Sequence, residues 1–356
     1  MSDTLLGAKI KALIEANGPM SVADYMALGD PAHGYYATRD PFGAKGDFIT
    51  APEVSQMFGE IVGAWLVHMW RSIGAPSPAR LVELGPGRGT LMADTLRVAA
   101  KAPDFLGAIA VDLIETSPTL RTLQAKTLAG AKVEIAWPDT LSSVPAEPLL
   151  LVANEFFDAL PIRQFVRTGS AWRERVVGLD DSGKLAFGIG PGLLDDGPDA
   201  PEGAIFELRP AADAIVAEIG RRIVEDNGAA LILDYGHAAT AVGDTLQAVR
   251  AHRFADPLSA PGEADLTAHV DFAALARAAK AEGGAAHGPM PQGEFLMALG
   301  LAERAERLGA KADAAGRESL AAAVDRLAGA DAMGTLFKAL ALTRPGVAPP
   351  PFPPAI

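Results

Sequence analysis

The sequence predicts an α/β fold in which helices cover both faces of a mostly parallel sheet. Short apolar runs bounded by turn or cap residues are typical of strands buried on both faces. Four such runs occupy 81–84, 109–114, 149–152 and 229–233. Helical patterns lie between most of them, which is the order expected for parallel strands in one sheet. A weaker run at 133–135 predicts an edge strand.

The first 75 residues are predicted to form a helical cap or lid. An amphipathic helix opens the chain and ends at Gly18. Its apolar side chains recur at helical spacing, at Leu6, Ile10, Leu13 and Ile14. A stretch rich in glycine and proline follows, and the next apolar pattern predicts a second helix from Glu53 to about Ile73.

Residues 76–250 are predicted to form the core, and residues 251–356 a C-terminal helical region. Alternating residues at 164–190, around a turn at 181–183, predict an inserted β-hairpin in the core. The C-terminal region is rich in alanine with a helical pattern, and a returning strand is predicted at 337–343.

Charge and composition exclude several kinds of partner and site. The formal net charge is −13, so nucleic acid would be repelled over most of the surface. The absence of cysteine excludes disulfides and thiolate zinc sites, and the spacing of the histidines predicts no metal site. No apolar run reaches 18 residues, and the N-terminus lacks signal-peptide or transit-peptide features. We therefore predict a cytoplasmic protein without membrane insertion, whose oligomeric state the sequence leaves open.

The glycine-rich segment at 81–90, LVELGPGRGT, predicts a site for a methyl donor. Gly85, Gly87 and Gly89 join a strand to a helix, so the backbone can approach a ligand and helix N–H groups can point at it. The carboxylate of Glu83 would repel a pyrophosphate but can accept a hydrogen bond from an ammonium group. S-adenosylmethionine has such a group and NAD has none, so the pattern favours S-adenosylmethionine over a nicotinamide cofactor.

Three further strand ends supply candidate donor-binding side chains, because ligands of open α/β sheets lie beyond the carboxyl ends of the strands. Glu115 follows the second strand, where a carboxylate can accept both ribose hydroxyls of an adenosine; the alternative is a charge at the next helix N-terminus. Trp137 and Asp139 follow the weak strand, where they would contact an adenine or form a packed turn. Asn154, after the fourth strand, completes the predicted donor site.

The segment NEFFDALP, at 154–161, predicts the acceptor site. Glu155 and Asp158 can hold the planar guanidinium group of arginine through charge-assisted, bidentate hydrogen bonds. The alternative is a cap followed by a hydrophobic plug. An acidic protein would also attract a basic, arginine-bearing substrate. His237, after the fifth strand, is a candidate to relay the proton that is lost after transfer.

Polar residues before the second predicted helix suggest a lid over the cofactor. The candidate substrate or lid residues are Asp47, Thr50, Glu53 and Gln56. An ordinary helix-capping arrangement explains the same residues, and the sequence leaves both interpretations open.

Several segments together resemble one family of proteins. They are GYY at 34–36, GDFITAPEVSQMFGEIVGAW at 46–65, ELGPGRGTL at 83–91, ANEFFDALPIRQF at 153–165, LDYGH at 233–237 and PGEADLTAHVDF at 261–272. Over roughly residues 20–345 the chain resembles the MidA-like S-adenosylmethionine-dependent methyltransferase family. That family includes the mitochondrial complex I assembly-factor arginine methyltransferase.

The resemblance implies a class I methyltransferase fold, with its Rossmann-like sheet, and S-adenosylmethionine as the cofactor. It also implies methyl transfer to an arginine ω-nitrogen, giving symmetric dimethylarginine, with a respiratory complex I subunit as a candidate protein substrate. Lacking a transit-peptide-like start, the chain looks like a bacterial relative. Two alternatives stay open: methylation of a small molecule or another residue, and a donor-binding assembly factor that acts mainly by binding.

Overall fold

A computed structural model describes residues 4–28, 50–250 and 253–353 of the chain. The described residues divide into two compact units. The first unit contains 4–28, 158–213, 239–250 and 253–269, and the second contains 50–157, 214–238 and 270–353. This division differs from the expected boundaries near 75 and 250. Strands that are distant in sequence share a sheet, so the chain passes from one unit to the other several times. Each unit is therefore built from several separate segments.

The strands and helices are numbered along the described chain. The strands are β1 (Met20–Ser21), β2 (Ala79–Leu84), β3 (Ile109–Ile114), β4 (Ile135–Ala136), β5 (Leu149–Asn154), β6 (Arg163–Thr168), β7 (Ala171–Leu179), β8 (Leu185–Leu194), β9 (Ile205–Leu208), β10 (Gly228–His237), β11 (Gln247–Arg250), β12 (Arg253–Ala255), β13 (Asp265–Thr267), β14 (Val270–Asp271), β15 (Ala285–Pro291) and β16 (Phe337–Thr343). The helices are α1 (Leu5–Asn17), α2 (Val22–Leu28), α3 (Ala51–Val54), α4 (Gln56–Ser72), α5 (Thr90–Ala99), α6 (Pro103–Ala108), α7 (Pro118–Thr127), α8 (Pro210–Glu225), α9 (Phe272–Ala281), α10 (Gln292–Ala298), α11 (Leu301–Gly309), α12 (Ala314–Ala328) and α13 (Met333–Leu336).

The second unit is built on a mixed sheet in the order β15-β16-β10-β5-β2-β3-β4, with β14 beside the end of β10. The strands β10, β5, β2, β3 and β4 are parallel, and β16 runs antiparallel to both of its neighbours. The predicted parallel strands and the returning strand at 337–343 are present, and the edge strand expected at 133–135 lies at 135–136. All residues of β5 are buried, which explains why its sequence is apolar on both faces.

Two local predictions in the second unit are wrong. The single helix expected from Glu53 is two helices, because Ser55 has an extended backbone and caps α4 by accepting a hydrogen bond from the Met57 N–H. The C-terminal region is not helical throughout, because β15 pairs with β16 at the edge of the sheet. Pairing with a distant strand overrides the local helical pattern of these small residues.

The first unit contains a five-stranded antiparallel sheet in the order β1-β7-β6-β9, with β8 on β7. The predicted inserted hairpin is therefore a three-stranded meander of β6, β7 and β8 with two added strands. Its expected turn at 181–183 is confirmed, since Gly183 has a φ of 74° and the Asp180 carboxylate accepts hydrogen bonds from the Ser182 and Lys184 N–H groups.

Helix α1 and a small second sheet complete the first unit. The α1 helix is confirmed, with Thr4 capping its start and Gly18 ending it at a φ of 86°. The second sheet has the order β12-β11-β13. Across the described ranges of both units, none of the helices is long and apolar enough to cross a membrane.

Candidate active site

The loop that joins β2 to α5 has a backbone conformation that requires glycine. Gly85, Gly87 and Gly89 have φ angles of 62°, 51° and 80°. A Cβ atom at Gly85 would lie 2.9 Å from Cδ2 of Phe156, so both conformation and space exclude a side chain there. Gly89 is the N-cap of α5 and has no side chain that could bond to the first N–H groups of that helix. The loop and helix start therefore suit an anionic group.

A buried carboxylate lies at the carboxyl end of β2. The side chain of Glu83 is 3% exposed, and its Oε2 has no hydrogen-bond partner among the residues that the structure describes. Burial raises the pKa of Glu83 to about 8. An unpaired buried acceptor is unfavourable unless a ligand supplies a donor, so this carboxylate suits a cationic group.

Asn154 presents a second buried acceptor beside Glu83. Its Oδ1 also has no hydrogen-bond partner within the described chain. Glu83 is in register with Val152 on β5, and Asn154 is two residues further along that strand. Because side chains alternate along a strand, Glu83 and Asn154 lie on the same face at the carboxyl edge of the sheet. Two acceptors from adjacent strands can therefore serve one ligand cation.

The other two predicted donor-binding residues lie beyond the neighbouring strands. Glu115 is buried after β3, and its Oε1 accepts a hydrogen bond of 2.8 Å from the Ser117 N–H. The side chain of Ser117, rather than that of Glu115, caps α7. Asp139 is 86% exposed and forms an ion pair of 2.8 Å with Arg121, which also donates to the Glu115 main-chain oxygen. Asp139 therefore lies at the rim of this region.

Gln124, on α7, is a residue that the sequence interpretation missed. It is fully buried, and its amide bonds to the Gly87 main-chain oxygen, to the Glu115 carboxylate and to the Trp137 indole. The sequence does contain a signal for it. Gln124 stands four residues after Leu120, a position on the buried face of the helix where an apolar residue is the usual choice.

Glu155, the predicted acceptor ligand, has a strained backbone and a fixed carboxylate. Its φ of 50° places a non-glycine residue in the left-handed region. Its Oε1 accepts hydrogen bonds from the Ala51 N–H at 2.9 Å and from Nδ2 of Asn154 at 3.1 Å. The surrounding structure must hold such a strained backbone in place. Strained residues of this kind are common at functional sites.

The lid candidates occupy different environments. Oε1 of Glu53 accepts a hydrogen bond of 2.5 Å from the Thr90 hydroxyl, and its Oε2 lies 3.6 Å from Nη1 of Arg88. Glu53 therefore contacts the glycine loop directly. Thr50 is the N-cap of α3 without a side-chain cap bond, and Gln56 is exposed at the start of α4. Asp47 lies outside the described residues.

The structure does not place Glu155 and Asp158 in the same compact unit. The boundary between the units falls after Phe157, so Glu155 belongs to the second unit and Asp158 to the first. Asp158 is buried, and its main-chain oxygen accepts hydrogen bonds from Arg209 and Ala268. The pairing of the two carboxylates stays a prediction.

His237 is the last residue of β10 and is half-buried. It lies in register with Asp271 of β14, whose carboxylate caps α9. The position at a carboxyl strand end agrees with the sequence expectation, and the proton-relay role stays a prediction.

Arg209 is a second residue that the sequence interpretation missed, and it fixes two segments of the first unit. Its guanidinium donates to the main-chain oxygens of Asp158, Leu160, Ala268 and His269. These oxygens belong to the NEFFDALP and AHVDF segments, which are far apart in sequence. Nothing in the sequence distinguishes an arginine that donates to main-chain oxygens from an arginine on the protein surface.

Comparisons with known proteins identify relatives of the chain. Residues 61–290 match the model of a family described as S-adenosyl-L-methionine-dependent methyltransferase. The chain is 40% identical over 354 residues to "Protein arginine methyltransferase NDUFAF7, mitochondrial" from Danio rerio, covering 91% of this chain and 83% of the relative. The Homo sapiens protein of the same name is 39% identical over 364 residues, covering 92% and 81%.

A solved structure from Burkholderia thailandensis, bound to S-adenosyl-homocysteine, has the same fold. Its TM-score is 0.84 at 29% sequence identity, and the match covers 96% of this chain and 92% of the other. The names of the relatives bear on one earlier expectation. They place those proteins in mitochondria, and this finding overturns the prediction of a cytoplasmic protein.

Proposed function

The chain belongs to this family of S-adenosyl-L-methionine-dependent methyltransferases, and from that premise we propose that it methylates an ω-nitrogen of arginine in a protein substrate. The names of the Danio rerio and Homo sapiens relatives support the choice of arginine. The observation that carries the proposal is a juxtaposition of two strand ends. Glu83, whose buried Oε2 has no hydrogen-bond partner among the described residues, lies near the carboxyl end of β2, and the strained Glu155 follows the adjacent β5.

The residues at the strand ends fit the cofactor of this family. S-adenosylmethionine supplies a methyl group on a positively charged sulfur and has an ammonium, a carboxylate and an adenosine. Glu83 and Asn154 would bind the ammonium, because both present buried acceptors that lack a donor in the described chain. The N-terminal N–H groups of α5 would bind the carboxylate. Glu115 would accept the ribose hydroxyls, and Asp139 would lie near the adenine.

Glu155 is the proposed acceptor ligand. The bonds from Ala51 and Asn154 fix the orientation of its carboxylate before a substrate arrives. A fixed negative charge would align the guanidinium and match its positive charge, and alignment accounts for much of the acceleration in group transfer. A partner role for Asp158 and a proton-relay role for His237 are supported by their places in the sequence and at strand ends alone.

We expect donor binding to release a proton from Glu83. In the ligand-free protein the carboxyl group is protonated below about pH 8, whereas the unfolded chain would ionise it near its ordinary value. An ammonium group needs the ionised form, so affinity should rise roughly tenfold per pH unit as pH increases towards 8. Calorimetry with S-adenosylhomocysteine in buffers of different ionisation enthalpy would measure the released proton. A heat of binding that is independent of the buffer at pH 7 would contradict the assignment.

The acceptor is tested with labelled methyl groups. The protein would be incubated with methyl-labelled S-adenosylmethionine and a lysate, and the labelled material hydrolysed to amino acids. We expect the label in ω-N-methylated arginine, because carboxylates that match a planar guanidinium discriminate against other nucleophiles. Label in a small molecule or another amino acid would contradict the acceptor while leaving the cofactor assignment intact.

We further propose symmetric dimethylation and a respiratory complex I subunit as the substrate. Both come from the family resemblance, and the net charge of −13 supports a basic substrate segment. A variant that cannot bind the donor separates catalysis from an assembly role. If such a variant still restored complex I levels in cells that lack the protein, binding rather than methylation would be its main role.

A further inference from the structure

The main-chain oxygen of Gly87 needs a partner that the loop itself does not supply. Gly87 lies in the middle of the turn between β2 and α5, so it belongs neither to the hydrogen-bonded strand nor to the helix. Nε2 of Gln124 donates a hydrogen bond of 2.7 Å to this oxygen. This partly buried bond ties the loop to α7, so the side chain stabilises one conformation of the loop.

The same amide group also fixes the Glu115 carboxylate. Nε2 of Gln124 lies 3.3 Å from Oε2 of Glu115, while Oε1 of Glu115 accepts from the Ser117 N–H at 2.8 Å. Each oxygen of the carboxylate therefore has a donor from α7 or its cap. Two such bonds set the plane of the carboxylate, and with it the directions in which it can accept further hydrogen bonds.

The other end of the amide holds an aromatic ring. Oε1 of Gln124 accepts a hydrogen bond of 2.8 Å from Nε1 of Trp137, which follows β4. Gln124 itself is fully buried, so its amide group has little access to water as an alternative partner. Only a side chain that both donates and accepts can serve a main-chain oxygen, a carboxylate and an indole together, and a carboxamide does so.

We propose that Gln124 is a positioning residue for the nucleoside half of the methyl donor, because its one buried amide couples the loops that follow β2, β3 and β4. Through Gly87 it shapes the loop that approaches the donor, and through Glu115 it orients the ribose ligand. Through Trp137 it sets the aromatic ring beside the expected adenine region. The inference rests on the proposed donor site, and it is independent of which acceptor is methylated.

The test compares S-adenosylhomocysteine binding by Gln124→Leu, Gln124→Glu and Ala125→Glu with the wild type. Calorimetry at pH 6 and pH 8 gives each dissociation constant, and the ratio to wild type removes the effect of Glu83. Ala125 is exposed on the same helix, so Ala125→Glu adds the same charge without touching the amide's partners. Thermal melting of each variant reports folding.

We expect Gln124→Leu to weaken binding by about tenfold to a hundredfold at both pH values, because leucine cannot replace the bonds of the amide to the Gly87 oxygen, the Glu115 carboxylate and the Trp137 indole. Gln124→Glu should weaken binding at least as much at pH 8, because its carboxylate would face Glu115 and the Gly87 oxygen. At pH 6 its affinity should recover in part, since a protonated carboxyl group can donate one of the lost bonds. Ala125→Glu should bind like the wild type.

Three results would overturn the inference. The first is binding by both Gln124 variants within twofold of the wild type. The second is an equal loss for Gln124→Glu at both pH values, which would indicate packing rather than hydrogen bonding. If the Gln124 variants do not fold, Trp137→Phe is used instead, because it removes one hydrogen bond of the amide. The third overturning result is an unchanged affinity of Trp137→Phe for S-adenosylhomocysteine. A wild-type protein that did not bind S-adenosylhomocysteine would instead contradict the proposed donor site itself.

Discussion

Replacing Gly85 by valine is expected to abolish methyl-donor binding. The new side chain would have to adopt a φ of 62°, which is unfavourable for a β-branched residue. Its Cβ would also lie 2.9 Å from the Phe156 ring, so the ring or the loop must move. We expect the dissociation constant for S-adenosylhomocysteine to rise about a hundredfold or more, since both the loop and the start of α5 contribute to the site. Calorimetry measures the change.

Gly74→Val provides a matched control for this prediction. Gly74 also has a positive φ, of 98°, and lies in the same unit, but nothing lies within 4 Å of a Cβ placed there. This variant should lose about 1–2 kcal/mol of stability from backbone strain and keep its affinity for the donor. If both variants lost affinity equally, general destabilisation rather than the local loop geometry would be responsible.

Replacing Glu155 by glutamine is expected to slow methyl transfer strongly while preserving donor binding. The amide has nearly the same shape as the carboxylate but lacks the negative charge that matches a guanidinium group. We expect the transfer rate to fall about a hundredfold to a thousandfold, as when one electrostatic contact to a reacting group is removed. Single-turnover transfer of a labelled methyl group and calorimetry with S-adenosylhomocysteine measure the two effects separately.

Glu294→Gln is a suitable comparison, since Glu294 is an exposed carboxylate on α10 and no part of the proposed site. This variant should transfer methyl groups at the wild-type rate. An equal loss of donor affinity and transfer in Glu155→Gln would contradict the assignment of Glu155 to the acceptor. Wild-type transfer by the variant would contradict it as well, and would favour the alternative of a cap with a hydrophobic plug.

The strands of the central sheet could be predicted because their information is local. Leu149 to Val152 is apolar at every position and is flanked by turn and polar residues, as is typical of a short strand covered on both faces. The first helix has its cap, its apolar stripe and its terminal glycine within 15 residues of the chain. By contrast, β15 could not be predicted, because its alanines and glycine have little strand preference and pair with β16 about 50 residues away.

Some features of the candidate site could be predicted from local sequence, and others depend on tertiary contacts. Glu83, the three loop glycines and Glu115 could be predicted because each directly follows or ends a recognisable strand. The strain at Glu155 could not be predicted, since a positive φ at glutamate has no local signature. The contact between Glu53 and Thr90 joins residues that are 37 positions apart and depends on how α3 packs against the loop.

The order of apolar runs, the glycine spacing and the acidic residue before the glycines determined the fold class and the kind of cofactor, because these features act through local stereochemistry and residue type. The tertiary structure alone decided which polar atoms stay unpaired and which are held in place. It left Glu83 and Asn154 as buried acceptors on one face, and it placed Gln124 among three loops. Hydrogen-bond satisfaction depends on every group that packs nearby, and no stretch of sequence contains that information.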